Sequence, residues 1–373
     1  MHDDSSIPTF PDGARRLTEM DGLRGLAALT VFVQHAKAFL PYASNPFLGW
    51  ISDGAAAVDL FFVLSGFVLA LPFVGSRRKP LNYMDFAIRR CFRIYPAYWL
   101  AILLVLIMQR FYFPALSGIN PEMASFLHGR IGLTDVLKYA TLIGTGIKGD
   151  KLLPVVWSLI LEMRVSLIFP VFVFLILYLR LPAQAAVWVI LTLTGLFLPI
   201  IAFIPFFVLG IMVAANFDYL RESAQRLPSA VRLACWPAAL LLYHGVGQFV
   251  AHRIYRDIMA SLATATFIIL ITSSSNVRTV LSSRPFRFLG KVSYSFYLLH
   301  FPILLLVFSI LFASRSFWLC WCTSLLITWV VSWIIFQFVE VPMQKAGRRA
   351  WPYLRRRGFT TVLSEKAQES GQI

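Results

Sequence analysis

Long apolar runs recur along this chain, separated by short clusters of Pro, Gly and charge. The first opens Met20-Asp21-Gly22-Leu23-Arg24-Gly25-Leu26-Ala27-Ala28-Leu29-Thr30-Val31-Phe32-Val33-Gln34-His35 and stays apolar to about Tyr42. That is the length of a bilayer span, roughly 20 residues. The pattern predicts ten helical spans, at about 23–42, 55–74, 92–113, 154–179, 185–201, 203–217, 233–250, 258–275, 292–313 and 317–339. The fifth and sixth are short and meet at Leu198-Pro199-Ile200, which predicts a tight pair or a broken helix. The expected fold class is all-α: a polytopic membrane helical bundle of about ten transmembrane helices. The expected organisation is a polar segment 1–19, a transmembrane unit 20–345 and a basic, then polar tail 346–373.

Composition agrees with this pattern. The chain is 58% hydrophobic and 14% charged, whereas soluble domains are about a quarter charged. A net charge of +16 would suggest a nucleic-acid partner in a soluble chain. Here Lys and Arg alternate with the spans instead. With the N-terminus inside, cytoplasmic segments hold 24 and outer segments 8, which is the positive-inside pattern. Both termini are therefore expected in the cytoplasm, with the chain in the plasma (inner) membrane and no nucleic acid bound. The segment 1–17 lacks the apolar core of a signal peptide. Cys320 and Cys322 lie two apart on one helix and face different ways, and Cys91 and Cys235 are distant. Neither a zinc site nor a disulfide framework follows, and no metal is expected. The longest loop, about 114–153, is expected outside, over a site or along the interface.

Ionisable residues inside spans are costly and mark candidate function. Arg24 and His35 are eleven residues apart on one helix, roughly 16 Å along one face. Arg89, Arg90 and Arg93 run into the start of the third span, and guanidinium forks there suit the phosphates of a cytosolic ligand. The fourth span opens Trp157-Ser158-Leu159-Ile160-Leu161-Glu162. Counted from the outer helix ends, Glu162 and His35 both lie about 12 Å deep, so a hydrogen bond between them is expected. Asp59 begins the second span one turn inside the outer interface, where a carboxylate meets a hydroxyl-bearing acceptor or simply snorkels to water. Ser65-Gly66 further along permits close helix approach. In the ninth span Ser293, Tyr297 and His300 follow i, i+4, i+7, a polar stripe on one face with His300 in the inner half, below His35. Glu340-Val341-Pro342 is expected to end the last helix.

Six of these blocks, in this order, resemble the acyltransferase 3 family of integral-membrane acyltransferases. They are Asp21-Gly22-Leu23-Arg24-Gly25 with His35, the run Asp59 to Phe67, Arg89-Arg90 through Arg93 to Pro96, Trp157-Ser158-Leu159 with Glu162, Ser293-Tyr294-Ser295 with Tyr297 and His300, and Glu340 with Pro342. The resemblance implies ten spans, an acyl-CoA donor (acetyl-CoA foremost) taken from the cytosol, and transfer to an acceptor at the outer face. It carries the essential role of the family's arginine–histidine pair to Arg24 and His35. It also implies a sugar hydroxyl on a cell-surface or exported polysaccharide, a glycan or lipid-linked glycan, as acceptor. Members often carry a fused extracytoplasmic hydrolase-like domain; the stand-alone form is expected here. Where the family often has a second acidic residue after Glu162, this chain has Met163.

These expectations assign His35, Arg24 and Glu162 to catalysis and Arg89, Arg90 and Arg93 to the donor. Asp59, Ser65, Trp157, Ser158, Ser293, Tyr297 and His300 are the supporting or acceptor residues. His35 serves as general base or as acyl-carrying nucleophile, with Glu162 steadying the imidazole. Two rivals use the same residues. A proton-coupled secondary transporter would use Arg, His and Glu as a relay, although no internal repeat is evident. A non-catalytic component of polysaccharide assembly would tolerate loss of His35.

Overall fold

A computed structural model of the chain describes residues 17–39, 52–74, 82–110, 132–142, 153–245, 250, 252–311 and 316–356. Most of the loop 114–153 and the tail beyond 356 lie outside these residues. Among the described residues, regular structure is entirely helical. The α-helices are α1 (Thr18–Lys37), α2 (Gly54–Ala70), α3 (Tyr83–Arg110), α4 (Leu133–Thr141), α5 (Val156–Tyr178), α6 (Leu181–Phe197) and α7 (Ile204–Ala215). They continue as α8 (Phe217–Arg226), α9 (Ser229–Leu240), α10 (Arg253–Ser273), α11 (Ser275–Leu281), α12 (Arg284–Leu311), α13 (Phe317–Ile335) and α14 (Val341–Arg356).

Every predicted span coincides with a helix. Six helical stretches are long and apolar enough to cross a membrane: 54–73, 83–110, 156–178, 253–273, 284–311 and 317–354. The helices α7 and α8 meet that test only as a pair, bent by 73°. The fifth and sixth predicted spans form a tight pair, α6 and α7, joined by a 3-10 turn at Pro199–Ile201. Asn216 Nδ2 donates to Gln184 Oε1 at 2.7 Å and ties the far ends of that pair together. On α5, Val171 and Phe174 are both 65% exposed, although the same helix buries Phe169 and Val173. An apolar outer face over a packed inner one is what lipid contact requires.

The bundle centres on α1, which packs along α12 on one side and α2 on the other. Small residues set the first crossing. A Cβ on Gly25 would lie 2.6 Å from the Cβ of Leu289, and one on Gly290 would run into the Asp21 carbonyl. At the crossing of α2 and α7, a Cβ on Gly66 would collide with the Phe207 carbonyl. Glycine is the residue that lets these backbones touch.

Three expectations change. First, α3 begins at Tyr83, nine residues before the predicted 92, so Arg89, Arg90 and Arg93 stand inside a helix rather than at its entrance. Second, the last helix does not end at Glu340. A π-turn, Phe336–Glu340, leads directly into α14, which packs on α3 and runs across the 345/346 boundary. The widened π ladder accommodates the missing Pro342 amide. Third, His300 is not below His35. The helices α1 and α12 start at Thr18 and Arg284, so the two histidines stand 17 and 16 residues in, each roughly 25 Å along its helix.

Candidate active site

The two histidines meet at the centre of the bundle. His35 Nδ1 lies 2.9 Å from His300 Nε2, and His300 Nδ1 lies 3.2 Å from the Phe296 carbonyl one turn earlier. A carbonyl only accepts, so His300 Nδ1 carries a proton and its Nε2 offers a lone pair. His35 Nδ1 then donates, which leaves Nε2 as the lone-pair nitrogen of His35. Together with the Val31 carbonyl on α1 itself, His300 thus holds one tautomer of His35, the part a carboxylate plays in a Ser-His-Asp triad. Phe32, Phe296 and Phe301 crowd the two rings, and His300 is fully buried.

Two hollows meet at Tyr297, whose ring packs against His300. The larger is a cavity of about 300 Å³ whose walls include His35, Asp53, Asp59, Trp157, Arg253 and Asp257. It sits at the end of the bundle where α2, α5 and α10 begin. The smaller, about 40 Å³, is a cleft between Arg24, Ser65, Glu162, Ser293 and Tyr294. Val58 and Tyr297 line both. The Tyr297 hydroxyl is 2.7 Å from Ser158 Oγ, which itself donates to the Val155 carbonyl at 2.9 Å.

Arg24 and Glu162 bring charge to the cleft, and further charges stand around them. Arg90 is buried, with Nη2 donating to Glu162 Oε1 at 2.7 Å and its Nε and Nη2 reaching Ser166 Oγ at 3.1 and 3.0 Å. Ser65 Oγ lies 3.5 Å from the same Glu162 oxygen. Arg93 is half-buried among the charges of Arg24, Arg90, Glu162 and Glu340. Glu340, presented by the π-turn, accepts a hydrogen bond from Ser295. Arg89 is the exception. It is exposed and pairs with Asp85 one turn back at 2.8 Å.

The expected residues are thus divided. The expected bond between Glu162 and the imidazole does not form: Glu162 is held by Arg90, and His35 by His300. The arginines do not act as one cluster, because Arg89 and Arg90 point to water and to Glu162 respectively. The stripe Ser293, Tyr297, His300 runs as expected from cleft to histidine pair, although Ser293 spends its hydroxyl on the Gly290 carbonyl. Asp59 and Trp157 share the cavity with His35. Sequence reasoning missed Asp257, Arg253 and Ser166. The i,i+4 pair Arg253–Asp257, at 3.6 Å, was visible as spacing at a helix start but reads there as ordinary interfacial charge.

A histidine pair beside a polar cavity, inside an all-helical bundle with helices long and apolar enough to cross a membrane, belongs to a protein of multi-pass membrane character. A family model described as an acyltransferase domain matches residues 17–337, and the chain belongs to that acyltransferase 3 family. It is 25% identical to the peptidoglycan O-acetyltransferase OatA of Listeria monocytogenes, over 88% of this chain and 56% of that protein. It is 24% identical to the O-acetyltransferase OatA of Staphylococcus aureus, over 91% of this chain and 59% of that one. The chain spans a little over half the length of these relatives. No solved structure matches it.

Proposed function

We propose that the protein is an acyl-CoA-dependent O-acyltransferase of the bacterial plasma membrane, with ten spans and both termini in the cytoplasm. It takes an acyl group, acetyl foremost, from cytosolic acyl-CoA and passes it to a hydroxyl of a cell-surface polysaccharide such as peptidoglycan. The observation that carries this reading is the meeting of two hollows of opposite character at Tyr297, with His35 on the cavity side. The names of the relatives support O-acetyl transfer to a cell-wall glycan, and the distribution of Lys and Arg supports the orientation.

In this reading the cleft beside Arg24 receives the donor. Arg24, Arg93 and the exposed Arg89 offer charge-assisted hydrogen bonds to the CoA phosphates. Arg90 and Glu162 hold the wall in shape. At about 40 Å³ the closed cleft has room for roughly one or two waters, so the pantetheine arm must part Tyr297 from Ser158 to bring the thioester to His35. The acceptor hydroxyl waits in the cavity. Its oxygen bonds the thioester carbonyl carbon as its proton passes to His35 Nε2; the C–S bond then breaks, and the CoA thiolate takes that proton back. His300 keeps Nδ1 protonated throughout. General-base help of this kind contributes about 10²–10⁴ in rate.

The test is free-thiol release by the purified protein in nanodiscs, with acetyl-CoA and unmodified cell-wall glycan. Wild type releases CoA and His35→Ala does not. Equal rates in both would overturn the role of His35. Proton-driven solute flux with no thiol release would place the protein with the transporters instead.

A further inference from the structure

The cavity beside His35 has a chemistry that the donor side does not explain. Its walls bring three carboxyls together, Asp53 and Asp59 from the start of α2 and Asp257 from the first turn of α10. Asp53 has a structural task, since Oδ1 accepts the Ala56 amide at 3.0 Å and caps α2. Asp59 and Asp257 instead meet each other through a side-chain hydrogen bond, and Asp257 also pairs with Arg253. They are only 2% and 4% exposed. Apart from Asp257, no group among the described residues bonds the buried Oδ2 of Asp59. A buried acceptor left short of donors costs up to about 1–3 kcal/mol, and a ligand in the cavity would supply one.

The rest of the wall narrows the class of ligand. Arg253 is already engaged, 3.6 Å from Asp257 and with its guanidinium 5.6 Å from the centre of the Trp157 ring. Arg256 also faces the cavity, but the carboxyls outnumber the guanidiniums and lie deeper. Touching carboxyls share one proton and their remaining lone pairs accept, so the best complement is a neutral molecule rich in hydroxyl donors. Ligand pockets begin at about 300 Å³, which suits a small cyclic unit rather than a long chain. An aromatic edge and acceptor-rich side chains together fit a polyhydroxylated ring.

We infer that Asp59 and Asp257 form the acceptor subsite, binding adjacent hydroxyls of a neutral sugar ring and presenting one of them to His35, with Arg253 and Trp157 as the supporting wall. This rests on the acyltransferase reading but names residues of α10 to which the reading itself gives no role. Asp257 sets acceptor affinity and Arg253 holds its carboxylate in place.

Calorimetry on the full-length protein in nanodiscs tests this, with a neutral N-acetylhexosamine tetrasaccharide as one probe and acetyl-CoA as the other. Asp257→Asn and Asp59→Asn, on different helices, each weaken sugar binding at least tenfold and leave acetyl-CoA binding unchanged; Asp257→Glu recovers part of the loss. Unaltered acetyl-CoA binding also shows that the variants fold. Sugar binding that is indifferent to both substitutions, or absent in a wild type that binds acetyl-CoA, would overturn the subsite. A wild type that binds sugar through these aspartates but never binds acetyl-CoA would support the subsite and sink the donor assignment.

Discussion

The cavity and the cleft lie against one another, yet they are built on opposite plans. The cavity is roomy, about 300 Å³, and apart from Asp257 no group among the described residues bonds the buried Oδ2 of Asp59. The cleft is about 40 Å³, and its carboxylate, Glu162, is already held by Arg90. A buried polar atom short of partners invites a ligand, whereas a satisfied ion pair resists change. The roomy hollow can take a ligand as it stands, and the narrow one would have to widen for anything larger than water. Val58 and Tyr297 form the wall between them, with His35 on the cavity side.

The strongest way to break this contrast is at its centre. His35→Ala removes the lone pair on which the transfer depends, and thiol release should fall by about 10²–10⁴, with a small drop in melting temperature because His300 Nε2 loses its donor. On the cleft side, Arg90→Ala takes from half-buried Glu162 its direct partner, a change that costs at most about 3 kcal/mol at such a site. It should lower the melting temperature in detergent, and Arg90→Met with Glu162→Met should restore most of it. His300→Phe keeps the ring and its packing but loosens the tautomer of His35. The rate should fall by about 10²-fold, less than the ~10⁴ seen when a charged triad partner is neutralised, with His300→Gln recovering part of it.

Tyr297→Phe tests the wall itself. It removes one buried hydrogen bond worth about 1 kcal/mol, so futile hydrolysis of acyl-CoA should rise severalfold while sugar binding holds. Arg89→Ala gives the smallest effect. An exposed pair such as Arg89–Asp85 contributes at most about 1 kcal/mol, so stability should not move. The KM for acyl-CoA should rise a few-fold in that variant, separating an arginine that holds phosphate from Arg90, which holds the fold.

Much of this arrangement was legible in the sequence. Apolar length alone located a helix at each of the ten runs, because a backbone in lipid has almost no other way to satisfy its hydrogen bonds. The cost of charge in such helices singled out Arg24, His35 and Glu162, and all three line the two hollows. What failed was depth and pairing. The sequence shows where apolar runs begin, but α1, α3 and α12 extend into polar sequence before them, and those extra turns put His300 level with His35. Arg90 was read as a phosphate ligand because charge at a helix entrance usually faces water; only packing of α3 against α5 shows that it faces Glu162. Asp257 was hidden for the opposite reason. Its position beside Arg253 and Arg256 looks like interfacial charge, and nothing local reveals that its carboxyl meets Asp59, almost two hundred residues earlier in the chain.

The central claim is that one histidine serves two hollows that open to opposite sides of a membrane. The most direct test is transfer in sealed vesicles holding the protein in one orientation, with acetyl-CoA supplied on one side and glycan on the other. Acetylated glycan should form only when the donor is on the side of Arg24 and Arg93 and the glycan on the side of Asp59 and Asp257, and His35→Ala should abolish it. Equal yield with both substrates on the same side, or no dependence on which side holds the donor, would contradict it.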